Sequence, residues 1–153
     1  MICKKNSIWT LITITDPNGL PGKSIFDVIL ILRRFIEFKF VIIDDIIGAT
    51  ASILLDKENT IMKTEDLLKI ICDVTQFDWG DFFLFKKYPK NWINSKKIKY
   101  HDVISQTDTT IRAIDDGYIY IYTPFQEIVD VIKNNYEIES IKTGSLENLD
   151  YPD

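Results

Sequence analysis

An α+β fold with a largely antiparallel sheet and three or so packed helices is what this sequence predicts, and three observations point to it. Strand-like runs are joined by short turns rather than by helical crossovers. The clearest turn, Asp115-Asp116-Gly117, separates two β-rich runs, Thr109 to Ile114 and Tyr118 to Thr123, in the manner of a hairpin. No glycine-rich phosphate loop opens a helix, because the glycines at 19, 22, 48, 80, 117 and 144 are scattered. A chain of 153 residues, 46% hydrophobic and 27% charged, suits one globular domain over residues 1–153, with a polar, acidic C-terminal tail from about 140.

From Ile8 to Thr15 the chain alternates Ile8, Thr10, Ile12 and Ile14 against Trp9, Leu11, Thr13 and Thr15, the period of a strand, and stops at Asp16-Pro17-Asn18-Gly19. Ser24, with Asp27 three positions on, reads as a capping box for a first helix whose apolar positions run from Ile25 to Ile36. Phe38 to Ile43, closing on Asp44-Asp45, and Ala51 to Leu55 read as paired strands. Thr64, followed by Glu65 and Asp66, caps a second helix with Leu67, Leu68, Ile70, Ile71 and Val74 as its buried stripe. Trp79 to Phe85 is a further strand, and Lys86 to Lys99 a basic, mobile loop punctuated by Pro89. Thr123 as cap and Pro124 at the first helical position open a third helix that ends near Asn134-Asn135.

Charge narrows the function classes. A net charge of −5 and a pI near 4.9 argue against nucleic-acid and anionic-membrane partners. The longest apolar stretch, Ile25 to Phe40, carries Asp27, Arg33, Arg34, Glu37 and Lys39 and cannot span a bilayer. The first residues, MICKKNSIWTLITITDPN, hold no apolar run before a cleavage site, and Cys3 and Cys72 lie too far apart to read as a staple. A cytoplasmic monomer is the expectation.

Chemistry is sparse. The chain has one histidine, His101, beside Asp102, and it reads as a surface residue. The pairs Asp44-Asp45 and Asp115-Asp116 read as turn chemistry, with a small enzyme using these paired aspartates and a divalent ion as the alternative, and an assembly protein of a mobile element as another. Cys3, Cys72 and His101 lack the close spacing of a zinc site. No catalytic residue, metal or cofactor is expected.

Residues 1–100 hold 15 basic and 12 acidic side chains, whereas residues 101–153 hold 3 basic and 11 acidic. Within that acidic third, Tyr118, Tyr120 and Tyr122 share one strand face and Ile119 and Ile121 the other, so the isoleucines are expected in the core and the tyrosines partly exposed. Exposed tyrosine flanked by carboxylate is a composition suited to a basic protein partner.

The segment Phe77-Asp78-Trp79-Gly80-Asp81-Phe82-Phe83-Leu84-Phe85, then Tyr88-Pro89 and Trp92, and the run Ile111 to Tyr122 resemble small immunity proteins of bacterial contact-dependent growth inhibition and related polymorphic toxin systems. The resemblance covers about the second half of the chain and implies a protein that binds the toxin domain of its own system, commonly a nuclease, and blocks its active site or its access to substrate. The residues it nominates for toxin contact are Trp79, Asp81, Trp92, Asp115, Asp116, Tyr118, Tyr120 and Tyr122.

Overall fold

The computed structural model describes residues 7–17, 21–47, 54, 56–73, 79–94, 96–114 and 117–152. Seven strands make one sheet: β1 (Trp9–Thr15), β2 (Phe40–Ile47), β3 (Ile61–Lys63), β4 (Trp79–Phe85), β5 (Thr109–Ile114), β6 (Tyr118–Thr123) and β7 (Ile138–Gly144). Their order across the sheet is β3-β2-β4-β5-β6-β1-β7, and every ladder is antiparallel. Four helices accompany them among the described residues: α1 (Pro21–Leu32), α2 (Thr64–Ile70), α3 (Tyr100–Ser105) and α4 (Gln126–Asn135). The expected α+β class is therefore the one adopted. No helix among these residues is long and apolar enough to cross a membrane.

Both faces of the sheet are covered, by different means. Ile12, Ile14, Val41, Ile43, Phe82, Leu84, Ile111, Ile119 and Ile121 point to one face, where they pack with α1 (Ile25, Val28, Ile29, Leu32), α2 (Leu67) and α4 (Ile128, Val129, Val131, Ile132). Full burial of each such aliphatic side chain stabilises the fold by about 1.5–3 kcal/mol. The second face is covered from one end only. There Val103 and Ile104 of α3 and Trp92 pack on Ile42, Phe83, Phe85 and Trp9, while Leu146, Leu149 and Tyr151 lie over Leu11, Tyr120 and Tyr122.

Several elements differ from the sequence expectation, each for a local reason. Helix α1 begins at Pro21, so Ser24 sits inside its first turn rather than capping it, and its hydroxyl donates to the Asp16 carboxylate. Strand β2 does not close on Asp44-Asp45; it runs on to Ile47 through a bulge, with Asp44 buried and Asp45 at φ 51°, the left-handed region that aspartate tolerates better than most residues. Besides β4, β2 pairs with Ile61–Lys63, while all but Leu54 of the expected strand Ala51 to Leu55 lies outside the described residues. A short helix, α3, holds His101 where a loop was expected. The acidic tail is not a tail: it begins as edge strand β7 and continues as a strap, Ser145 to Pro152, whose Leu146 and Leu149 are buried. The β5–β6 hairpin and β4 fall on their expected residues, and Gly117 at φ 82° takes the turn position that a side chain would strain.

Candidate functional site

Antiparallel register lines up one row of side chains across the second face. Asp44 stands opposite Asp81, Asp81 opposite Arg112, Arg112 opposite Tyr120, Tyr120 opposite Thr13 and Thr13 opposite Ser140. At its centre Arg112 is buried and grips Asp81 with two bonds, Nε to Oδ1 at 2.7 Å and Nη2 to Oδ2 at 3.1 Å. The Tyr100 hydroxyl donates to Asp81 Oδ1 at 3.1 Å, and the guanidinium lies between the Tyr100 ring at 3.7 Å and the Trp79 ring at 4.4 Å. Its Nη1 donates to the Pro152 carbonyl of the strap at 2.8 Å. Bidentate pairing and ring stacking are what guanidinium geometry favours over an ammonium.

Titration follows from this enclosure. Burial pushes the Asp81 carboxyl above its ordinary value, and the bonds from Arg112 and Tyr100 pull against it. Burial would lower the Arg112 guanidinium, but Tyr100 and Asp81 hold it above the usual arginine value, so it stays a cation. The Tyr100 hydroxyl is pushed well up by burial and by the Asp81 charge. Asp81 and Arg112 therefore act as an internal, satisfied pair.

Beyond that row, towards the β5–β6 turn, the second face loses its cover. Ile47 stands opposite Trp79 and Trp79 opposite Ile114, while Tyr118 pairs with Thr15 on β1. Trp79, Ile114 and Tyr118 are half-buried, and Ile47 is 57% exposed. Carboxylates rim the strip. Asn59, at φ 56°, donates from its backbone to the Ile43 carbonyl and from its amide to Asp44 Oδ1, both at 2.8 Å, and the Ile46 amide donates to Glu58. This stitching holds Asp45 close to Asp44, Asp81 and Glu58, and burial together with those charges raises its carboxyl above the ordinary value. Beside the strip, Tyr118, Tyr120, Thr13, Glu139, Asp150 and Pro152 line a shallow groove of about 300 Å³.

The nominated residues thus divide. Trp79 and Tyr118 reach the half-open strip, and Tyr120 meets it only through the groove. Asp81 is enclosed beneath the strip by Arg112. The expectation of partly exposed tyrosines is corrected for Tyr120 and Tyr122, both buried: the strap covers Tyr122, stacks Tyr151 on its ring at 5.3 Å and accepts its hydroxyl at the Asp150 carbonyl at 2.7 Å. Trp92 lies at the far end of the sheet, against Phe83 and Phe85. Asp115 and Asp116 lie outside the described residues. Sequence reasoning passed over Ile47 and Glu58 and took Asp45 for turn chemistry, because the bulge that gathers them has no pattern of its own in the sequence.

Among the described residues no group of three His, Cys, Asp or Glu side chains converges as a metal would require. Asp44 is buried and accepts from the Asn59 amide, whereas Asp45 is exposed. Comparison with models of protein families, with curated proteins and with solved structures yields no match for this chain.

Proposed function

We propose that this chain is an immunity protein, a non-enzymatic cytoplasmic inhibitor that binds and neutralises a cognate bacterial toxin domain, and that it seats the toxin on the half-open strip at the β5–β6 end of the sheet. The observation behind this reading is the composition of that strip: the apolar residues Ile47, Trp79, Ile114 and Tyr118 in a row, next to Asp45 and Glu58. An aromatic and aliphatic centre with a charged rim is the anatomy of a protein interface. A rim of carboxylates suits a toxin that presents a positive groove, as a nuclease does to phosphates, and speeds its encounter. The resemblance to immunity proteins points the same way and supplies the identity of the partner class.

The reading expects a toxin domain to be encoded beside this chain's own gene, and the test is co-expression with it. Cells should survive the toxin, and the two proteins should purify as one complex. Trp79→Ala should weaken the complex by at least about tenfold, the effect of a hot spot, and Asp45→Lys should slow association most at low salt. Failure to bind that toxin at all would overturn the reading.

A further inference from the structure

The loop between β4 and α3 carries six lysines, at 86, 87, 90, 96, 97 and 99, and no acidic residue from Lys86 to His101. Sequence reading takes such a stretch for solvated and mobile, but here it is built into the fold. Trp92 packs its ring on Phe83 at 5.1 Å and on Phe85 at 5.7 Å. Gln106 clamps Ile93 from both sides, accepting from its amide at 2.9 Å and donating to its carbonyl at 3.1 Å. Turn bonds from the Trp92 amide to Pro89 and from the Lys97 amide to Asn94 hold the rest. Register brings a seventh cation, Lys63, opposite Phe40 at the same end of the sheet, and Tyr88 meets that Phe40 ring edge-on at 5.4 Å.

Holding like charges together in a fixed frame is unfavourable unless counter-charge arrives. Among the described residues none of the six loop ammoniums is in an ion pair, and only Lys86 has a ring partner, Phe125 at 5.1 Å. Lys96, Lys97 and Lys99, with His101, line an open depression of about 710 Å³ that Asp102 and Glu147 also line. Between the cations stand two exposed apolar side chains, Tyr88 at 58% and Ile93 at 46%.

We infer that this loop is a second docking surface, distinct from the proposed toxin strip at the opposite end of the sheet, and that its occupant is an acidic protein segment carrying apolar side chains. Phosphate backbones would satisfy the lysines but offer nothing to Ile93. A peptide of glutamates and leucines satisfies both features, its carboxylates on the ammoniums and its aliphatic groups on Tyr88 and Ile93.

Fluorescence anisotropy can decide this with three labelled probes of equal length: a twelve-residue peptide of repeating Glu-Glu-Leu, a twelve-residue polyglutamate, and a twelve-nucleotide oligouridylate. The mixed peptide should bind saturably and tighter than polyglutamate, and should lose affinity as salt rises towards about 0.15 M, where screening acts over about 8 Å. The Lys96→Glu/Lys97→Glu/Lys99→Glu variant should weaken it at least about tenfold, and Tyr88→Ala about fivefold; all four side chains are exposed, so the fold should survive, and near-ultraviolet circular dichroism checks this. Oligouridylate binding tighter than the mixed peptide would overturn the assignment in favour of a nucleic-acid surface. Unchanged affinity in the charge-reversed variant, or no saturable binding of the mixed peptide, would overturn it outright. None of these outcomes bears on the toxin strip, because none of the substituted residues lies there.

Discussion

Removing the guanidinium at position 112 would leave the Asp81 carboxylate buried among Tyr100, Trp79 and the sheet, with its strongest partner gone. Arg112→Met is therefore expected to cost about 3–5 kcal/mol, read as a shift in the urea midpoint, whereas the double change Asp81→Leu with Arg112→Met should recover much of that loss. Tyr136 presents the opposite case. Its hydroxyl is buried without a hydrogen-bond partner among the described residues, and burial, with Asp27 nearby, pushes its titration up to about 12. Tyr136→Phe should thus leave stability unchanged or raise it by about 1 kcal/mol at neutral pH. The folded phenol titrates above the unfolded one, so its contribution is intact below pH 10 and is lost as pH climbs towards about 12; the phenylalanine variant should lack that part of the alkaline decline. Asp45 has a raised carboxyl as well, which means that its protonated form favours the fold and that stability falls as pH rises past its ordinary value of 3.8. Asn at this position keeps the left-handed backbone and removes the charge. Asp45→Asn should raise the melting temperature at pH 7 and have no effect near pH 3, and an equal shift at both pH values would refute the electrostatic account.

At the scale of elements, the strap is where sequence and structure part most clearly. Its polar, acidic composition hides the three residues that matter, Leu146, Leu149 and Tyr151: a single 3-10 turn separates the two leucines and a two-residue step leads to the tyrosine, so no one period runs through all three. Truncation after Gly144 should uncover Trp9, Leu11 and Tyr122, and we expect a red shift of tryptophan emission together with a loss of stability exceeding that of Leu146→Ala, itself about 2–5 kcal/mol. By contrast, β4 and the β5–β6 hairpin were legible residue by residue, β4 as a short apolar, aromatic run and the hairpin because two β-rich runs around an Asp-Gly turn are a local signal. The buried ion pair was half legible. Asp81 and Arg112 each sit mid-strand among apolar neighbours, which marks both as unusual, but their meeting depends on a ladder between residues 31 positions apart. The bulge in β2 was not legible, since the segment that stabilises it arrives from Glu58 and Asn59. Capping was legible only in part: acids do fill the first turn of α2, but the Thr64 hydroxyl makes no cap and is buried without a hydrogen-bond partner among the described residues.

Across the whole molecule the two ends of the sheet differ in charge. The loop end carries the six lysines of residues 86–99, while Asp44, Asp45 and Glu58 gather at the hairpin end, so a chain of net charge −5 has strongly polar ends. Partners approaching through the solvent are therefore oriented before contact, and the two ends should respond to charge reversal with opposite partner preferences.

The position of β1 has a consequence for the chain as it is made. Both neighbours of this strand, β6 and β7, come from the last 36 residues, beginning at Tyr118. Until they emerge from the ribosome, Trp9–Thr15 has neither of its edges occupied, and it is an uncharged run of aromatic, β-branched and leucine side chains, the composition of an aggregation-prone segment. Nascent chains arrested before Tyr118 should accordingly be retained by holdase chaperones or precipitate, and a lysine placed at Thr13 should keep them soluble while destabilising the finished protein, in which that position is buried.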